Sequence, residues 1–163
     1  MRRAARGVPE AQYVYGRMLA SGRGVPADLA QAREWYSRAA DAGVLDAQVA
    51  LGEMLTNGTG GAPNPAAARA LFENAAAAGH SGAMFALGAI CSGGHGGEPD
   101  PAAAERWFRA AAELGHGAAQ MMLGRYLMAG VTHEPTPDEG RQWLERAAAQ
   151  GVSEAQADIN ALA

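Results

Sequence analysis

Glycine recurs every 36 residues in three ladders at once. Gly43, Gly79, Gly115 and Gly151 form the first, Gly16, Gly52, Gly88 and Gly124 the second, and Gly22, Gly58, Gly94 and Gly130 the third. A fixed period of this size marks one supersecondary unit repeated in tandem. Such a chain folds as a solenoid, each unit burying its apolar face on its neighbours rather than in one globular core. Partner binding is therefore the first class of function to consider.

The unit Val44 to Gly79 shows how each repeat is built. Ala47, Leu51, Met54 and Leu55 follow helical spacing and define the packed stripe of a first helix, A. Gly58 is placed to end it in the left-handed conformation. After a short Gly/Pro loop, Asn64-Pro65 pairs a side-chain N-cap with proline at the first helical position. The pair recurs as Asp100-Pro101 and Thr136-Pro137, with Asp28-Leu29 in the first copy. Thr136 to Glu139 also has the pattern of a capping box. A second helix, B, then runs through Ala68, Leu71, Phe72, Ala75 and Ala76 to the C′ glycine Gly79. The predicted fold is all-α, with paired helices in 36-residue repeats.

Columns across the repeats carry the packing. Ala11, Ala47, Ala83, Ala119 and Ala155 align, as do Trp35, Leu71, Trp107 and Trp143, followed by Tyr36, Phe72, Phe108 and Leu144. A large ring on helix B set against an alanine on a neighbouring helix is what close stacking requires. Recurrence at one offset assigns these aromatics to structure rather than to a ligand cage. Forty alanines and 22 glycines point the same way, to helices packed through small side chains.

Other totals narrow the chemistry. All 13 basic residues are arginine, which excludes a lysine nucleophile or Schiff base. A net charge of −4 argues against an extended nucleic-acid footprint. No apolar run is long enough to cross a membrane as a helix, and the arginine-rich N-terminus lacks the apolar stretch of a signal peptide. Compartment stays open on this basis, cytoplasmic by default and periplasmic for a processed fragment. Cys91 is alone and sits in the column of Leu19, Leu55 and Leu127, so it reads as a small buried residue. The loop from Gly93 to Gly97 lacks the strand and the Gly-Lys-Ser/Thr of a phosphate loop. His80 and His116 share a column after a helix C-terminus, where capping or packing is the expected role. His95 and His133 fall in loops without zinc-ligand spacing, so neither metal nor cofactor is expected.

The motif Ala-Gln-x-x-Leu-Gly-x-x-Leu-x-x-Gly, then a Pro/Asp loop, then Ala-x-x-Trp-Phe-x-x-Ala-Ala-x-x-Gly, resembles the Sel-1-like repeat, a relative of the tetratricopeptide repeat. Ala-Gln stands at 11–12, 47–48, 119–120 and 155–156, with Ala-Met at 83–84. The resemblance covers four units, 8–43, 44–79, 80–115 and 116–151, with 152–163 a C-terminal capping helix. It implies a right-handed superhelix of paired antiparallel helices used as a protein-binding scaffold or adaptor, and no single enzymatic activity. Cysteine-rich relatives linked to penicillin binding are a poor guide, because this chain has one cysteine and no lysine.

The ends read differently. Residues 1–7 read as the tail of a preceding helix B, which points to a fragment or to an array lacking its first helix, the alternative being a start codon that falls inside a repeat. Asp158 and Asn160 bring polarity into small or apolar columns, as expected where no further repeat packs. On helix A the positions least needed for packing are 49, 53 and 56, on one face. These columns contain Tyr13, Val49, Phe85 and Met121, then Arg17, Glu53, Ala89 and Arg125, then Ala20, Thr56, Ser92 and Met128. The expected site is a concave groove for a peptide or helix, anchored by Tyr13, Phe85 and Met121, with Arg17 and Arg125 reading acidic groups. In the alternative, column 49 completes the A–B interface. Function is expected to be a monomeric, non-enzymatic scaffold binding other proteins. A regulatory segment of a larger protein, or a cell-wall-related binding protein or hydrolase, are the competing readings.

Overall fold

A computed structural model describes residues 7–94 and 98–162. The expected N-terminal helix tail, apart from Gly7, and His95 lie outside the described residues. Among those residues there are nine α-helices and no strand. The chain divides into two compact units, Met1–Gly79 and His80–Ala163. Unit 1 holds α1 (Pro9–Ser21), α2 (Leu29–Asp41), α3 (Leu45–Asn57) and α4 (Pro65–Ala77). Unit 2 holds α5 (Ser81–Cys91), α6 (Pro101–Glu113), α7 (Gly117–Ala129), α8 (Pro137–Ala149) and α9 (Ser153–Asn160). Odd-numbered helices are the A helices and even-numbered ones the B helices.

The B helices start where their caps place them. Asp28, Asn64 and Asp100 accept hydrogen bonds from the backbone N–H three residues on, at 2.9, 3.1 and 2.9 Å. Each such cap contributes about 1 kcal/mol. The fourth copy departs from expectation, because Thr136 makes no side-chain cap bond and its buried hydroxyl has no partner among the described residues. The expected capping box does not form because Glu139 is engaged elsewhere. It accepts from Arg109 at 2.8 Å and from the Trp143 indole at 3.4 Å.

Two A helices are capped by histidine. Nδ1 of His80 accepts from the Ala83 N–H, and Nδ1 of His116 from the Ala119 N–H, each at 3.2 Å. Their side chains serve the start of the next helix, while the His116 backbone N–H also closes the preceding one by donating to the Ala111 carbonyl at 3.0 Å. The B helices close on Gly43, Gly79, Gly115 and Gly151, all with φ between 86 and 88°. The third repeat breaks the other terminal ladder. Its helix ends at Cys91, and Gly93, at φ 92°, takes the left-handed place that register assigns to Gly94.

The central glycine ladder marks the closest approach of A to B. A Cβ on Gly16 would lie 2.8 Å from the Tyr36 ring, on Gly52 2.6 Å from Phe72, and on Gly88 2.5 Å from Phe108. On Gly124 it would meet the Gly140 carbonyl at 2.8 Å and Leu144 at 2.9 Å. Glycine, more than the alanine column, is therefore what receives the large B-helix side chain. The alanines Ala47, Ala83, Ala119 and Ala155 are fully buried nonetheless. Phe72, Phe108 and Leu144 are almost wholly buried, each stabilising its unit by about 1.5–3 kcal/mol.

The glutamine of the Ala-Gln motif ties consecutive repeats together. Gln48 Nε2 donates to the Ala40 carbonyl at 3.4 Å, and Gln120 Nε2 to the Ala112 carbonyl at 3.1 Å. Both acceptors lie in the last turn of the preceding B helix, where carbonyls lack intrahelical donors.

Candidate functional site

In unit 1 the A-face columns converge on α1 and α3. Tyr13 and Arg17 stand one turn apart on α1, with the guanidinium 5.8 Å from the Tyr13 ring centre. The Tyr13 ring lies 5.8 Å from that of Tyr36 on α2, tilted by 40°. Burial pushes the Tyr36 phenol up to about 12, reinforced by Tyr13 and opposed by Arg17. Burial and the Asp46 charge likewise raise Tyr13. Both phenols are therefore neutral hydrogen-bond donors at physiological pH. On α3, Val49 is half-buried while Glu53 is exposed. The Glu53 carboxyl nevertheless lies against enough protein for desolvation to raise its pKa. Thr56 is satisfied internally, donating to the Gly52 carbonyl at 2.8 Å.

Beside these residues opens a cleft of about 620 Å³, lined by Val14, Arg17, Met18, Ser21, Arg23 and Tyr36. Arg17, and Ala20 which also lines the cleft, stand in the A-face columns that the sequence singles out. The Tyr36 column reads as packing because it recurs in every repeat, and Arg23 lies in an interhelix loop without periodicity. The missed signal is the pair Val14 and Met18. They extend the apolar pattern of α1 onto a face that no described residue fully covers, leaving Val14 48% exposed.

In unit 2 the same columns are largely committed to intrachain contacts. Phe85 packs 5.8 Å from Phe108 and stacks on His116 at 4.8 Å, with 21° between the planes. Met121 and Met128 pack against the cluster of Leu144, Ala147 and Ala155. Arg125 makes a two-pronged ion pair with Asp158 of α9, Nε to Oδ2 at 2.6 Å and a terminal nitrogen to Oδ1 at 3.2 Å. Asp158 is thus more than a polar face at the end of a stack: it reaches back to the preceding A helix. A cleft of about 340 Å³ remains there, lined by Arg125, Met128, Leu144, Asp158 and Leu162 among others.

The remaining candidates have structural partners. Cys91 is buried. His133 lies in the exposed loop before α8, with Nδ1 2.7 Å from the Glu134 carbonyl and Nε2 3.5 Å from Glu105. Among the described residues no three metal-ligating side chains gather, and no helix is long and apolar enough to cross a membrane.

The Sel1 repeat profile matches residues 9–44, 45–80, 81–116 and 117–152. No curated protein sequence matches the chain. Among solved structures, it is similar to a protective antigen of uropathogenic Escherichia coli strains that displays an SLR fold. The TM-score is 0.88 and identity 30%, over 98% of this chain and 34% of that one. It is also similar to a Sel1 repeat protein from Oxalobacter formigenes, with TM-score 0.83 and 30% identity, over 93% of this chain and 61% of the other. The chain thus spans about a third of the first relative and three fifths of the second. Four consecutive profile matches on an all-helical repeat, with its glycine ladder seated on the B-helix side chains, show that the chain belongs to the Sel1 repeat family and is an all-α helical repeat solenoid.

Proposed function

We propose that the chain is a non-enzymatic scaffold that binds a peptide or helix of another protein on the face of its A helices. Sel1 repeat proteins are in general protein-interaction scaffolds. The observation that carries the reading is the unit 1 surface, where Tyr13 and Arg17 flank an open cleft and Glu53 stands in the same column one repeat on. An aromatic ring beside an arginine is the composition of interaction hot spots. Phe85, Met121 and Met128 spend much of their surface on intrachain packing, and Arg125 is paired. The unit 1 residues Tyr13, Arg17, Val49 and Glu53 therefore make the stronger half of the proposed surface.

Site-directed photocrosslinking in the native cell tests this. A crosslinker at Glu53, on the A face, should capture a discrete protein. One at Glu73, on the exposed side of α4, should not. Capture from Glu73 alone would move the surface to the B helices and overturn the assignment.

A further inference from the structure

The ion pair in unit 2 shows by contrast what unit 1 lacks. Arg17 and Arg125 occupy the same repeat position, three periods apart. Asp158 supplies the carboxylate for Arg125, but its counterpart one repeat after Arg17 is Ala50. Among the described residues neither Arg17 nor Arg23 forms an ion pair. Where Arg125 holds a carboxylate, Arg17 has only the Tyr13 phenol as a side-chain partner among the described residues, beside a cleft of about 620 Å³.

Charge is distributed to match. Arg17 and Arg23 both line the cleft, and no acid does. The cleft is thus basic in a chain whose net charge is −4. The cleft also offers apolar contact from Val14 and Met18 and the neutral phenol of Tyr36. Tyr13, under the Arg17 guanidinium, holds it in position, which lowers the entropy lost on binding.

We propose that the α1–α2 cleft is a receptor for an acidic, part-apolar stretch of a partner protein, with Arg17 holding a carboxylate as Arg125 holds Asp158. The inference rests on the protein-binding reading above and adds the chemistry of the partner. Arginine suits this role because its planar fork accepts a carboxylate in two parallel hydrogen bonds. Glu53 does not itself line the cleft, although its charge reaches the Tyr36 phenol that does.

The probe is a short fluorescein-labelled peptide of alternating aspartate and leucine, read by anisotropy against its asparagine counterpart. The acidic peptide should bind more tightly, and Arg17→Ala should weaken it about tenfold, the scale of one charge-assisted hydrogen bond. Arg23→Gln should weaken it less. Arg141→Ala, which removes an equal charge from an exposed pair on α8, should leave binding unchanged. Circular dichroism shows whether each variant is folded; if Arg17→Ala does not fold, Arg17→Gln replaces it. Equal binding of both peptides would sink the acidic chemistry while leaving an A-face protein site intact. Equal loss from Arg141→Ala would reduce the effect to net charge. Displacement by millimolar inorganic phosphate would make the cleft a small-anion site, and no binding of either peptide would remove it as a receptor.

Discussion

At the residue scale, a hydrogen atom where a methyl could stand decides how close the two helices of a repeat come. Gly88 lies against Phe108, which is 1% exposed and has nowhere to retreat. Gly88→Ala gains about 1 kcal/mol of helix propensity, but overpacking costs about 1–3 kcal/mol. With a Cβ only 2.5 Å from the ring, the upper part of that range applies. The variant should lose about 1 kcal/mol or more in chemical denaturation. Adding Phe108→Leu should recover part of the loss, since Gly124 already packs against Leu144 in the fourth repeat. Strictly additive losses would mean that the new methyl and the ring do not meet.

At the scale of the element, helix starts are the sensitive points. The α7 N-cap needs Nδ1 of His116 as an acceptor, so the ring must be neutral. Burial, then the neighbouring His80, holds the His116 pKa below its ordinary 6.5. The unfolded chain therefore takes up this proton first as pH falls. The stabilisation is complete above 6.5 and disappears as pH drops through the lowered folded value. Protonation would set a donor and a positive charge against the positive end of the helix. The protection factor of the Ala119 amide, its exchange rate relative to the intrinsic rate at the same pH, should fall on acidification while the His116 ring titrates below 6.5 in NMR. His116→Asn keeps a good N-cap and should abolish that pH dependence. A ring titrating at or above 6.5, with Ala119 protection unmoved, would refute the mechanism. Capping also shows what the sequence makes legible. Asp28, Asn64 and Asp100 identify themselves because an N-cap and its helix are local in sequence. The histidine caps are ambiguous because one residue stands between two helices. The fates of Glu139 and of the motif glutamines depend on partners roughly 8 to 30 residues away that periodicity does not specify. The candidate site divides in the same way. The A-face columns are visible as a pattern, but pairing Arg125 and leaving Arg17 open takes three dimensions.

At the scale of the whole molecule, a repeat array has no single core whose loss must be felt everywhere. The principal helix packings run between sequence neighbours within each unit, α1 on α2, α2 on α3, α7 on α8 and α8 on α9 among them. Stability in such an array is close to a sum of repeat and nearest-neighbour contributions, so damage should fade along the chain. Leu144 is a sharp probe, because it is 1% exposed and lies under α7 against Gly124, within the cluster that holds α9. Leu144→Ala leaves a cavity there and should cost about 2–5 kcal/mol locally. Hydrogen exchange followed residue by residue should show lost protection in α7, α8 and α9, with amides of α1 and α2 near their wild-type rates. Uniform loss across all helices would mean that the array unfolds as one cooperative body, and the nearest-neighbour description would have to be abandoned. The expected gradient would instead allow α9, with its Arg125–Asp158 tie, to open while the proposed α1–α2 receptor stays folded.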